Sequence, residues 1–282
     1  MARIIALANQ KGGVAKTTST LALGAALVNQ GQRVLLVDLD PQASLTSAAG
    51  EQVDADVATV YALLHAYVTT GDVPPIEAAL RSIVPELDLV PASIELAVAE
   101  IELQNAPRRE YILSEILSGS HEAYDLILID CPPSLSLLTV NALTAADEVL
   151  IPVVPDYLAA RGLGMLLDSI ERMRKNKLNP RLSVAGVILT MVDSRTTHSR
   201  ETMESIRAFL GDRIPILGEV KRSTKTAEAA AAGVPITVYA PQSEAALAYG
   251  SIAAGLLGEG DLARQRDVAN TGGNIEGEVL HV

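Results

Sequence analysis

Asn9-Gln10-Lys11-Gly12-Gly13-Val14-Ala15-Lys16-Thr17-Thr18 follows a short apolar run, Arg3 to Ala8 (RIIALA), and leads straight into a segment with helical spacing, Thr17 to Gln30. A strand, a glycine-bearing turn and a helix in that order form a phosphate-binding arrangement. Glycines let the backbone curl so that its N–H groups, and the helix N-terminus behind them, point at phosphate oxygens. In this reading residues 11–18 cradle the phosphates, Lys16 neutralises the β/γ-phosphates and the Thr17 hydroxyl coordinates Mg2+. The segment departs from Gly-x-x-x-x-Gly-Lys-[Ser/Thr] in having Ala15 where the last glycine would stand, and alanine keeps a positive φ only at some cost. A tight connection with no ligand is the alternative, and the glycine pair, the lysine and the two threonines together favour phosphate.

Outward from this loop the chain alternates. Arg33 to Leu39, Leu87 to Val90, Tyr124 to Ile129, Glu148 to Val154 and Val184 to Val192 are short β-branched-rich runs that read as strands buried on both faces. Ile94 to Leu117, Leu135 to Ala146, Leu158 to Lys177 and Thr197 to Leu210 have helical spacing, and Gly31, Gly119 and Gly211 stand where helices stop. Parallel strands need crossover connections, so the expected fold is α/β: doubly wound, a mostly parallel sheet with helices on both faces. One domain over residues 1–257 and a polar, mobile tail over 258–282 are expected.

Ligands of such sheets lie beyond the carboxyl ends of the strands. After the second strand comes Asp38-Leu39-Asp40-Pro41-Gln42, where strand alternation would send Asp38 and Asp40 to one side, towards a metal and a water. The alternative is a cap on the turn before Pro41. Leu126-Ile127-Leu128-Ile129-Asp130 places an acid after four apolar residues, the Walker B form in which the aspartate holds magnesium through water. A buried aspartate is costly unless paired or metal-bound. Cys131 beside it reads as a small buried apolar neighbour.

Composition agrees with one large core: 282 residues, 49% of them hydrophobic. The apolar runs fall far short of the roughly 18 residues that span a membrane. The N-terminus lacks the order of a secretory signal, and the single cysteine suits a reducing cytosol. Net charge is -12, yet residues 161–225 carry 13 Lys/Arg against 7 Asp/Glu, or +6, which leaves -18 for the rest. That segment is either a set of solvated helix faces or a binding surface.

The loop residues Lys11-Gly12-Gly13-x-x-Lys16-Thr17-Thr18, the DLDPQ segment at Asp38 to Gln42 and the IDCPPS segment at Ile129 to Ser134 resemble the deviant Walker ATPases of the ParA/MinD family. Within it the small, Soj-like partition ATPases are the nearest likeness. LTVNALTAAD (Leu138 to Asp147), IPVVPDYLAARGL (Ile151 to Leu163) and GVPITVYAPQS (Gly233 to Ser243) extend the resemblance to about Leu257. The resemblance implies an ATP-sandwich homodimer in which Lys11 of one subunit reaches the phosphates held by the other, as an arginine finger would. It implies catalytic roles for Lys11, Lys16 and Asp40, the last orienting the attacking water, with Thr17, Asp38 and Asp130 at the metal. Gly12 must stay small because two subunits meet there. Hydrolysis would be slow and stimulated by a partner, a ParB-like centromere-binding protein or a cargo adaptor.

The family's non-specific DNA contacts fall here on Arg195, Arg222 and Lys225, inside the net-positive segment. The tail lacks the basic amphipathic helix that binds membrane in MinD-like members, so no membrane is expected and the protein is placed in the cytoplasm, on the nucleoid. A chain that begins at its first strand is expected to carry no helix-turn-helix domain. The competing expectations are a positioning ATPase for another cargo, such as carboxysomes or chemoreceptor clusters, and a non-hydrolysing nucleotide-dependent scaffold in which Ala15 has damaged catalysis.

Overall fold

Both faces of β1 (Arg3–Leu7) are apolar: Ile4 and Ala6 join one buried cluster, Ile5 and Leu7 another. Because successive side chains of a strand point to opposite faces, such a strand must lie between two helical layers. The computed structural model, which describes residues 1–54, 57–193 and 197–271, shows that arrangement. In chain order β1 is followed by α1 (Lys16–Val28), β2 (Val34–Asp38), α2 (Ser44–Ala48), α3 (Val60–Thr70), β3 (Arg81–Val84), β4 (Leu87–Val90) and α4 (Leu96–Leu103). Then come α5 (Ile112–Leu117), β5 (Leu126–Asp130), α6 (Leu137–Ala145), β6 (Glu148–Val153), α7 (Ala159–Lys175) and β7 (Ser183–Val192). The chain goes on through α8 (Thr197–Leu210), β8 (Ile216–Lys221), α9 (Thr224–Ala231), α10 (Ile236–Tyr239) and α11 (Glu244–Thr271).

The strands form one eight-stranded sheet in the order β3-β4-β2-β5-β1-β6-β7-β8. All neighbours are parallel except β3 and β4. Leu35, Val37, Ile127 and Ile129 face the layer that holds α3 to α8, whereas Val34, Leu36, Leu126 and Leu128 face α1, α2, α9, α10 and α11. Fully burying one such side chain contributes about 1.5–3 kcal/mol, so this two-sided core is the main stabilising term. The parallel register puts Leu7, Asp38 and Asp130 at the same level, at the carboxyl ends of three adjacent strands.

The doubly wound α/β sheet is as expected; several elements differ from their sequence reading. The single helix expected over 94–117 is two, α4 and α5, because Pro107 and Arg108, at φ 51°, break it. Two strands went unread: β3 and β8 lie at the sheet edges, are half exposed, and carry Arg81 and the Gly218-Glu219 pair within short apolar runs. Gly31 and Gly211 take the left-handed conformation of helix stops, at φ 81° and 55°, while Gly119 lies in a 3-10 turn. Helix α11 runs through Gly258 to Thr271.

Two turns meet on the α1 side of the sheet. Gly50, after α2, and Gly233, after α9, have φ of 83° and 68°. A Cβ on Gly50 would stand 2.7 Å from the Gly233 carbonyl oxygen, and one on Gly233 would stand 2.6 Å from the Gly50 Cα. Only glycine fits either place.

Candidate nucleotide site

The loop between β1 and α1 is tied down from three sides. Asn9 accepts from the Lys11 N–H at 3.0 Å and donates to the Pro152 carbonyl at 2.8 Å, fixing the loop's entry to β6. Thr190 Oγ1 donates to the Val14 carbonyl at 3.0 Å, fixing its middle to β7. Ala15 stands immediately before α1 at φ 62° and ψ 33°, the left-handed conformation that the sequence pattern reserves for glycine, and its carbonyl accepts the first helical bond, from Ser19 N at 2.9 Å. An L-residue there costs about 1–2 kcal/mol, which the surrounding bonds sustain.

Lys16 is buried beneath this loop, with Nζ donating to the carbonyls of Asn9 at 3.2 Å and Lys11 at 3.4 Å. Burial pulls its pKa below the ordinary lysine value, and the charge of Asp130 opposes that pull. A desolvated ammonium satisfied only by carbonyl dipoles is set to take an anion.

Asp130, at the end of β5, accepts from Thr17 Oγ1 at 2.7 Å and from Thr20 Oγ1 at 3.4 Å. It is buried, and burial together with the neighbouring Asp38 charge pushes its carboxyl above the ordinary carboxylate range. Asp38 is buried as well, and burial raises its pKa. Its oxygens are engaged: Oδ2 accepts from Thr46 N at 2.9 Å and Thr46 Oγ1 at 2.7 Å, and Oδ1 from Asp40 N at 3.2 Å. The alternation expected to pair Asp38 with Asp40 ends with β2 at Asp38; Asp40 lies in the following turn, half exposed, where it accepts from Gln42 N at 2.9 Å.

Among the described residues no three His, Cys, Asp or Glu side chains converge to hold a metal by themselves. Thr17 and Asp130, joined by their hydrogen bond, are the pair that fits Mg2+, a cation held in phosphate sites by one or two protein oxygens, phosphate and water.

Lys11 lies apart from Lys16. It forms an ion pair with Asp156, in the loop after β6, and both side chains are more than a third exposed. Tyr157, Leu158 and Leu135 stand open to solvent. Gly12 is exposed on this face, and among the described residues a Cβ built on it would meet only Pro133 Cβ at 3.8 Å, an ordinary contact. Its own chain does not require glycine there.

Sequence reasoning missed a cleft of about 230 Å3 beside the loop, lined by Ala15, Thr18, Met191, Arg222, Thr226 and Tyr249 among others. Tyr249 lines it from α11 and hydrogen-bonds Ser19 in α1, 2.9 Å away. No local motif announces it, because its walls come from four separated segments. Of the expected DNA contacts, Arg195 lies outside the described residues. Arg222 lines the cleft, and Lys225, exposed on α9, pairs with Glu228 at 2.8 Å.

The family profile described as AAA domain matches residues 2–184. The sporulation initiation inhibitor protein Soj of Bacillus subtilis is 43% identical over 250 residues, covering 88% of this chain and 96% of that protein. The chromosome partitioning protein ParA of Caulobacter vibrioides is 39% identical over 267 residues, covering 94% and 96%. A solved Mycobacterium smegmatis structure, named cobyrinic acid a,c-diamide synthase and containing ADP and magnesium, superposes with a TM-score of 0.77 at 39% identity, covering 91% of this chain and 94% of that one.

Proposed function

The chain belongs to the ParA/Soj family of chromosome-partitioning ATPases, and from that premise we propose that it is an ATP-switched dimer that binds duplex DNA non-specifically and hydrolyses ATP to move DNA. One observation carries this reading: the Lys11 side chain pairs with Asp156 in the loop after β6, partly open to solvent, whereas Lys16 turns in beneath the phosphate loop. A lysine so placed serves the phosphates of a second subunit better than its own.

In this reading the loop N–H groups and Lys16 bind the β/γ-phosphates, and the cleft lined by Arg222 and Tyr249 takes the base. Thr17 and Asp130 hold Mg2+, which when bound screens charge on the phosphates. Asp38, saturated by Thr46 and Asp40, fixes the turn and leaves Asp40 to orient the attacking water. The partner's copy of Lys11 adds positive charge where the transition state develops negative charge. An exposed ion pair is worth about 0–1 kcal/mol, so Lys11 leaves Asp156 at small cost. The exposed Arg222 and Lys225, with Arg195, supply salt-sensitive phosphate contacts, and a partner of the ParB type or a cargo adaptor accelerates hydrolysis. Placement in the cytoplasm, on the nucleoid, follows from DNA binding. The name of the mycobacterial protein suggests amide synthesis; the identity of 43% to Soj and 39% to ParA, each over most of the chain, supports the partition reading instead.

Gel filtration and a DNA shift assay at low salt test the reading. ATP, not ADP, is expected to double the apparent mass and to shift arbitrary duplex DNA; Lys11→Ala is expected to bind nucleotide within about threefold of wild type yet stay monomeric. A nucleotide-independent mass and shift would sink it.

A further inference from the structure

Strand β7 changes face near its carboxyl end. Val187, Leu189 and Val192 all join the core on the α3 to α8 side of the sheet, while Ile188 joins the α1 side. Strict alternation would put Leu189 and Val192, three residues apart, on opposite faces. The ladder to β8 shifts register between these two residues and Met191 takes φ 51°, so one extra residue is absorbed there as a bulge. As a result Thr190 and Met191, although adjacent, both line the cleft beside the phosphate loop.

What the bulge aims is the Thr190 hydroxyl. It is buried, and it donates to the Val14 carbonyl at 3.0 Å. That carbonyl belongs to the peptide unit joining Val14 to Ala15. A peptide unit is planar and trans, so holding its oxygen holds the whole plane, and the φ of Ala15 is the rotation of that residue against the plane. The Ala15 N–H, on the opposite edge, points away from Thr190. Six non-glycine residues among the described ones have positive φ, and two of them flank this single bond: Ala15 beside the acceptor and Met191 beside the donor. Such conformations persist only where the surrounding structure over-determines them.

We infer that Thr190 is a positioning residue for the nucleotide: its hydroxyl holds Ala15 in the left-handed conformation, and so lets this phosphate loop serve without the glycine of the common pattern. The inference rests on the reading of residues 11–18 as a phosphate cradle. Without the hydroxyl, Ala15 relaxes towards negative φ, its N–H and the entry of Lys16 into α1 turn with it, and affinity for the phosphates falls. Glycine adopts both signs of φ about equally, so a loop with glycine at position 15 leaves the hydroxyl no strain to oppose. Thr190 matters because of Ala15, and substitutions at the two positions are therefore coupled.

Equilibrium binding of ATP with Mg2+ to the full chain measures the coupling across wild type, Thr190→Val, Ala15→Gly and the double variant. Thr190→Val keeps the shape and removes the donor. It is expected to weaken binding about tenfold in the native loop and by no more than about threefold in the Ala15→Gly loop. Thr190→Ser, which keeps the hydroxyl, is expected within about threefold of wild type, and Thr190→Ala about tenfold weaker; this pair carries the test if Thr190→Val does not fold. A hydroxyl that only supports the fold would lower the thermal midpoint and leave ATP affinity unchanged, and one that touches the base would cost the same in both loops. Either result would overturn the inference. A wild-type chain that binds no ATP would instead sink the phosphate-cradle reading itself.

Discussion

Asp130 has two demands on it: its carboxylate takes the Thr17 hydrogen bond, and it is shut away from water beside the equally buried Asp38. Its folded pKa is raised above the ordinary 3.8, chiefly by burial. A raised carboxyl pKa means that folding favours the protonated form. Stability from this group is therefore full at pH below the ordinary carboxyl value and declines as pH rises above it. Asp130→Asn keeps an acceptor for Thr17 and removes the charge. Without nucleotide or Mg2+ it is expected to be more stable than wild type near about pH 8, by on the order of 1–3 kcal/mol, with the advantage shrinking towards pH 4. Denaturant melts across that range check it; a constant difference would assign the effect to packing. The strand-loop-helix placement of residues 3–28 was legible in the sequence because the three are contiguous, and the place of Asp130 at a strand end because it closes a run of four apolar residues. Asp156 was not legible as the partner of Lys11, because 145 residues separate them and a surface ion pair leaves no local pattern.

Thr46 joins three elements through one hydroxyl. From α2 it donates to Asp38 at the end of β2 and accepts from the Ala92 N–H, 2.9 Å away, beyond the end of β4. Thr46→Val keeps the shape but leaves the Ala92 N–H and the Asp38 carboxylate each short of a partner in a buried place. A loss of about 2–6 kcal/mol is expected, from two groups at about 1–3 kcal/mol each, with Thr46→Ser restoring most of it. Chemical denaturation of the three proteins measures it, and equal stability would remove the role given to the hydroxyl. At this scale the parallel strands were legible because burial on both faces makes them uniformly apolar. The edge strands β3 and β8 were not, because half-exposed strands admit charge and glycine.

Across the whole molecule the sheet separates one layer, α1 with α2 and α9 to α11, from the layer that carries α4 and α7. Lys11 is held to the loop that opens α7 by Asp156. If each subunit must release that pair to dimerise, Asp156→Ala is expected to tighten ATP-dependent dimerisation by up to about thirtyfold, since two exposed pairs at about 0–1 kcal/mol each are no longer broken. Sedimentation equilibrium with ATP measures it, and weaker association would show that Asp156 also serves the interface. On the α1 side of the sheet, the contact between Gly50 and Gly233 bears on inheritance. No side chain fits at either position while the other turn stays where it is, so neither turn is free to vary alone. A lineage that edits one loop must re-form the other in step, and a loop grafted from a relative has to arrive with its counterpart.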